Sequence, residues 1–133
     1  MTRYLLDTNI CIYVIRQHPK QVIDHLTKLP VGEAAISAIT LSELECGAAK
    51  SSSPEQNREA LLAFVSPFEI LPFDDNASLH YGQIRADLER SGRVIGSMNT
   101  LIAAHARSLS LTLVTNNIHE FERVPGLEIE NWV

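Results

Sequence analysis

The chain has 133 residues, 45% hydrophobic and 20% charged, with a mean hydropathy of +0.01. That is apolar material for one compact domain over residues 1–133, with no length left over for a second. A net charge of −5 and a pI near 5.5 exclude a uniformly basic nucleic-acid binder, yet acidic groups remain compatible with a divalent cation bridging carboxylate to phosphate. No apolar run approaches the length of a membrane span and no secretory leader precedes the first strand-like segment, so a cytoplasmic protein is expected. Cys11 and Cys46 lack metal-site spacing and fall in apolar-periodic segments, which predicts two buried thiols.

The first element is Tyr4-Leu5-Leu6, an apolar run that delivers Asp7 to its end and passes through Thr8 and Asn9 into a helix over Ile10 to Arg16. Asp7 at a strand's carboxyl end is either the cap of that helix or a ligand-binding acid, since ligands of open α/β sheets bind at that rim. Pro19 closes the helix, and Val22, Ile23, Leu26 and Leu29 give a second one. Ala34 to Ser37 reads as a short buried strand. Thr40 and Glu43 form a capping-box pattern for a third helix with Leu41, Leu44 and Ala48 inward, and Gly47 leaves room one turn beyond Glu43. Pro54 opens a fourth helix carrying Leu61, Phe64, Val65 and Phe68.

Ile70 to Phe73 is an edge or terminal strand, because Pro72 cannot donate to a ladder. Asp75 to Ser91 is an amphipathic helix with Ala77, Tyr81, Ile84 and Leu88 inward and Arg85 on the solvent face. Asn99 is placed to cap a small-residue helix around Ala103, Ala104 and Ala106 that should be buried against the sheet. Leu111 to Thr115 is a second strong strand, ending in Asn116-Asn117, with Glu120 following and Phe121 as an anchor beneath it. Leu127 to Trp132 alternates as a last edge strand.

Strands alternating with helices, without hairpin signals, predict a three-layer α/β/α sandwich around a mostly parallel sheet of roughly five strands. If the first and fourth strands are neighbours, Asp7, Glu43, Asn99 and Asn117 or Glu120 converge at one rim. Hard oxygen donors of this kind suit Mg2+, with Mn2+ as the alternative. Arg93 and Arg107 are basic residues that could reach such a rim. A histidine-based, metal-free mechanism would need His105 or His119 there instead.

The segments LLDTN (Leu5 to Asn9), LSELECGA (Leu41 to Ala48), IGSMNTLIAAHA (Ile95 to Ala106) and VTNNIHEFERVPGLEIENW (Val114 to Trp132) resemble the PIN-domain ribonucleases, specifically the VapC toxins of type II toxin-antitoxin pairs. Four motifs in order over essentially the whole chain carry that resemblance. It implies an Mg2+-dependent endoribonuclease acting on structured RNA, with transfer RNA the expected substrate, a VapB-type antitoxin as partner, and a homodimer. By the same resemblance Asp7 matches the first metal-binding aspartate, Glu43 the glutamate, and Asn117 a variable fourth position, with Glu120 a further acid. Asn99 departs from the pattern, which has a metal-binding aspartate there. The carboxamide keeps the shape but removes a charge, so weak metal binding and little or no cleavage are expected. The alternative is a non-catalytic protein that binds antitoxin or RNA.

Overall fold

A computed structural model describes residues 1–133. Five strands, β1 (Tyr4–Leu6), β2 (Ala34–Ser37), β3 (Glu69–Leu71), β4 (Thr112–Val114) and β5 (Ile129–Glu130), form one sheet in the order β3-β2-β1-β4-β5. Every pairing is parallel, including the neighbouring β1 and β4, whose register sets Leu6 beside Val114. Parallel strands need crossovers, and here these are the helices α1 (Thr8–Arg16), α2 (Lys20–Lys28), α3 (Ala38–Lys50), α4 (Pro54–Val65), α5 (Asp75–Ser91), α6 (Ser97–Ser108) and α7 (Ile118–Phe121). Both faces of the sheet are therefore covered. Leu5, Leu113, Ile84, Ile102 and Phe121 pack on one side, and Leu6, Ile10, Ile36, Leu61 and Val114 on the other. The alternation of Leu5 and Leu6 between the two layers is the period-2 side-chain rule at work.

Most helix faces lie where the apolar spacing puts them. α5 buries Ala77, Ile84 and Leu88, and Arg85 stays on its solvent side, bonded to Glu89 and Tyr81. α6 is buried from Ile102 to Ala106, as a run of small and branched residues allows. Pro54 occupies the first turn of α4. The last strand is only the Ile129–Glu130 pair, and Trp132 folds back, buried, against Tyr4 and His25.

Three expectations fail locally. α3 begins before Thr40: Ser37 is its cap, accepting from the Ile39 N–H at 3.0 Å, and the buried Thr40 hydroxyl has no partner. Asn99 is likewise inside its helix, in the first turn of α6, with Gly96 at the cap position. Cys46 is exposed while Cys11 is buried, because α3 turns Thr40, Leu44 and Ala48 inward and position 46 is half a turn away from that stripe.

Candidate functional site

The site lies at the carboxyl ends of β1 and β4. The Asp7 N–H continues the ladder to the Val114 carbonyl at 2.9 Å, so the chain leaves β1 with the Asp7 side chain at the rim. Asp7 is 3% exposed, and each of its oxygens has one donor. Oδ1 accepts from the Thr8 N–H at 2.7 Å, as the cap of α1, and Oδ2 accepts from Thr115 Oγ1 at 2.7 Å. The cap and ligand readings of Asp7 are thus compatible: one acceptor site per oxygen serves the fold, and the rest stay free. Burial pushes the Asp7 carboxyl above its ordinary range; the two hydrogen bonds oppose that shift, and the Glu43 and Glu120 charges add to it.

Glu43 reaches this rim from α3. Its Oε1 accepts from Thr8 Oγ1 at 2.7 Å, so the side chain bridges to α1 and does not turn back to cap its own helix. Glu120 comes from α7, the short helix after β4. The Gly96 N–H donates to Oε1 at 2.7 Å and Asn117 Nδ2 to Oε2 at 2.9 Å. Those bonds hold Glu120 below the ordinary carboxylate range, with Asn99 a further, smaller donor. Asn99 stands beside Glu120 with its amide group near Gly96, a neutral neighbour to that carboxylate. Of the expected members, Asp7 feels the charges of Glu43 and Glu120, Asn117 joins through its bond to Glu120, Asn99 stands beside that same carboxylate, and none of the four ion pairs of the protein involves them.

Thr8, Thr115 and the Gly96 amide are members that sequence reasoning missed. The available signal was a hydroxyl residue beside each rim polar group: Thr8 follows Asp7, and Thr115 precedes Asn116-Asn117. Thr115 also accepts from the Asn117 N–H at 3.0 Å, so it ties β4's exit to Asp7. The adjacent Asn116 turns away, donating to the Tyr13 hydroxyl at 2.8 Å. Gly47 leaves open space that nothing in the protein fills, since an added Cβ would meet no atom within 4 Å; it does not relieve crowding at Glu43.

Other candidates separate from the rim. Arg107 is held by His80, Gln83 and the Pro125 carbonyl, near the far end of α6. Arg93 is exposed after α5. His105 is 1% exposed, with Nδ1 2.7 Å from Ser37 Oγ and its ring edge-on to Phe73. Burial lowers its pKa, so it is a neutral structural imidazole. His119 is exposed beside Arg123.

Whether the rim fits a divalent cation follows from its donors. Carboxylate, carboxamide and hydroxyl oxygens are the hard ligands that Mg2+ takes, and the mutual repulsion of the acids is what a cation relieves. The charge is nevertheless sparse: no three Asp, Glu, His or Cys side chains gather closely enough to hold a metal by themselves. The donor types suit such an ion, and Asn99 and Asn117 are the neutral members of the set.

A PIN domain model matches residues 4–127. A tRNA(fMet)-specific endonuclease VapC of Shigella flexneri is 48% identical over 132 residues, 99% of each chain, and ribonuclease VapC2 of Rickettsia felis is 46% identical over 97% of each. Among solved structures, DNA-bound VapBC from Salmonella typhimurium superimposes with a TM-score of 0.95 at 44% identity, covering all of both chains. VapBC2 from Rickettsia felis bound to a promoter DNA fragment gives 0.92 at 44%, covering 99% of this chain and all of that one.

Proposed function

Because the chain belongs to the PIN-domain family, among its VapC ribonucleases, we propose that it is the toxin of a toxin-antitoxin pair whose rim site is built for Mg2+-dependent cleavage of structured RNA. Transfer RNA is the substrate this reading favours, in line with the name of the Shigella flexneri relative, and the partner is a VapB-type antitoxin, in line with the VapBC complexes it superimposes on. The working form is a homodimer in the cytoplasm, and no helix is long and apolar enough to cross a membrane.

The observation that carries the reading is Asp7, buried at the strand end, within the electrostatic reach of Glu43 and Glu120, with no ion-pair partner for any of the three. Asp7 and the Asn99 carbonyl oxygen would hold the cation, which is Mg2+ or alternatively Mn2+, with Glu43 acting through a water. When bound, such an ion supplies a nucleophilic water at neutral pH and offsets charge on the phosphate. The protein's own part is orientation. Thr115 and Thr8 fix the two carboxylates, and Gly96 and Asn117 fix Glu120.

Asn99 weakens this machinery. A unit charge 4 Å from another is worth about 4 kcal/mol of gross attraction at an effective dielectric of 20, and a carboxamide forfeits most of it per cation charge. Cleavage by this chain is therefore low or absent. A second reading follows from the same residue: a neutral carboxamide at position 99 suits a PIN protein that binds antitoxin or RNA without cutting.

The test is cleavage of a transfer-RNA pool in Mg2+ or Mn2+, with and without chelator, by this chain and by its Asn99→Asp variant. Chelator-sensitive cutting by the variant, at least about 100-fold above the unaltered chain, is the expected result. Absence of cutting by both would transfer the weight to the binding protein.

A further inference from the structure

Resting on the reading of the rim as a ribonuclease site, the geometry points to the path of the substrate strand: RNA crosses α3 at Gly47, beside Glu43, with Arg16 and Lys50 holding phosphates on the two flanks of that helix. An acidic chain that must keep a polyanion over acidic side chains needs cations placed to the sides, and few here are available. Arg3, Arg58, Arg85 and Arg90 are paired with acids, Arg107 is bound by His80, Gln83 and the Pro125 carbonyl, and Arg123 is tied to the Val94 carbonyl. Arg16, Lys20, Lys28, Lys50 and Arg93 have no such partner.

Two of these five border the clefts that contain Glu43. One cleft, of about 270 Å³, runs between α1, α3 and α4 from Glu43 to Arg16, with Ser51 and Asn57 as polar lining. The other, of about 390 Å³, lies on the opposite flank of α3, with Glu43, Ser42, Lys50 and Met98 on its walls. Gly47 lines both. Glu43, Gly47 and Lys50 are spaced i, i+4, i+7, so acid, bare backbone and cation share one outward stripe about 10 Å long.

Gly47 is the second observation. A glycine inside a helix lowers helix stability relative to alanine, and crowding is the usual reason to keep one. Here an added Cβ meets nothing within 4 Å, so no packing inside the protein requires it. What it leaves is a saddle joining two clefts, each bordered by a free cation. A chain with phosphates at regular intervals satisfies both cations at once and brings an intervening phosphate past Glu43, the acid that both clefts share. Contacts of this sort fix register without reading bases.

The experiment measures binding of a fluorescently labelled transfer-RNA pool, in chelator to prevent cutting, by the unaltered chain and by Arg16→Ala, Lys50→Ala, Gly47→Leu and Lys28→Ala. Lys28 is an equally free cation in the last turn of α2, just before the chain enters the amino end of β2. Arg16→Ala and Lys50→Ala are each expected to weaken binding about 3- to 10-fold and to lower the slope of log affinity against log salt by about 0.7–0.9. Gly47→Leu is expected to weaken binding with the slope unchanged, while its melting temperature does not fall. Lys28→Ala is expected to match the unaltered chain. Equal losses in all three cation variants, or none in Arg16→Ala and Lys50→Ala, would overturn the path while leaving the ribonuclease reading in place. So would an effect of those two only on an Asp/Glu-rich peptide. Failure of the unaltered chain to bind the pool at low salt would take down both.

Discussion

At position 99 a neutral carboxamide stands beside Glu120, where an aspartate would set two like charges near one another. Asn99→Asp therefore adds repulsion beside Glu120, and in chelator it should cost about 1–3 kcal/mol of stability in urea titrations. Mg2+ or Mn2+ should return most of that loss to the variant and give the unaltered chain a smaller gain. Asp7 carries a comparable tension through burial. Its carboxyl is raised in the folded state, so the folded protein holds its proton more tightly than the unfolded chain, and ionisation opposes folding above the raised value. Asp7→Asn should be more stable than the parent near neutral pH, by about 0.5–2 kcal/mol. That advantage should shrink as pH falls through the raised value towards the ordinary carboxylate range. Glu120 works with the opposite sign: its pKa is lowered, so what it adds to stability is present at neutral pH and is lost on acidification.

The start of α3 decides how Glu43 is presented. Ser37 ends β2, caps α3 and contacts His105 of α6, so a single hydroxyl joins the helix that carries Glu43 to the one that carries Asn99. Ser37→Ala should cost about 1–2 kcal/mol from the cap alone, and more from the imidazole nitrogen left unpaired in the core. Thr40, three residues on, has a buried hydroxyl without a partner. Thr40→Val keeps the shape and removes that group, so it should be neutral or stabilising by about 1 kcal/mol. Denaturation midpoints at constant m separate the two outcomes. Had Thr40 been the cap, their order would be reversed. Glu43 would then have been committed to its own helix, where in fact Thr8 holds it to α1.

Across the whole molecule, the sheet is the frame from which the site is suspended, and β1 and β4 are its centre. Leu113 on β4 is fully buried among α5, α6 and α7 side chains one strand position before Val114, which receives the Asp7 amide. Leu113→Ala should lose about 2–5 kcal/mol and lower the melting temperature by about 10 °C, read by circular dichroism. Because the rim groups come from β1, α3, the start of α6 and the β4–α7 turn, that loss should also loosen metal binding at a distance from the carboxylates.

The alternation of short apolar runs with amphipathic segments was enough to determine a parallel sheet between two helical layers, because period-2 and period-3.6 burial are local properties of the chain. Acids and amides at strand ends were legible for the same reason: Asp7 and Asn117 stand where an apolar run stops. Other features needed the folded chain. Neither Thr40 nor Asn99 could be rejected as a cap from its neighbours, since Ser37 and Gly96 compete for those positions and the contest is settled by how β2 and α6 pack. The bond from Thr8 to Glu43 spans 35 residues and that from Thr115 to Asp7 spans 108. Such pairings exist only because the sheet sets β1 between β2 and β4, and no local pattern encodes them.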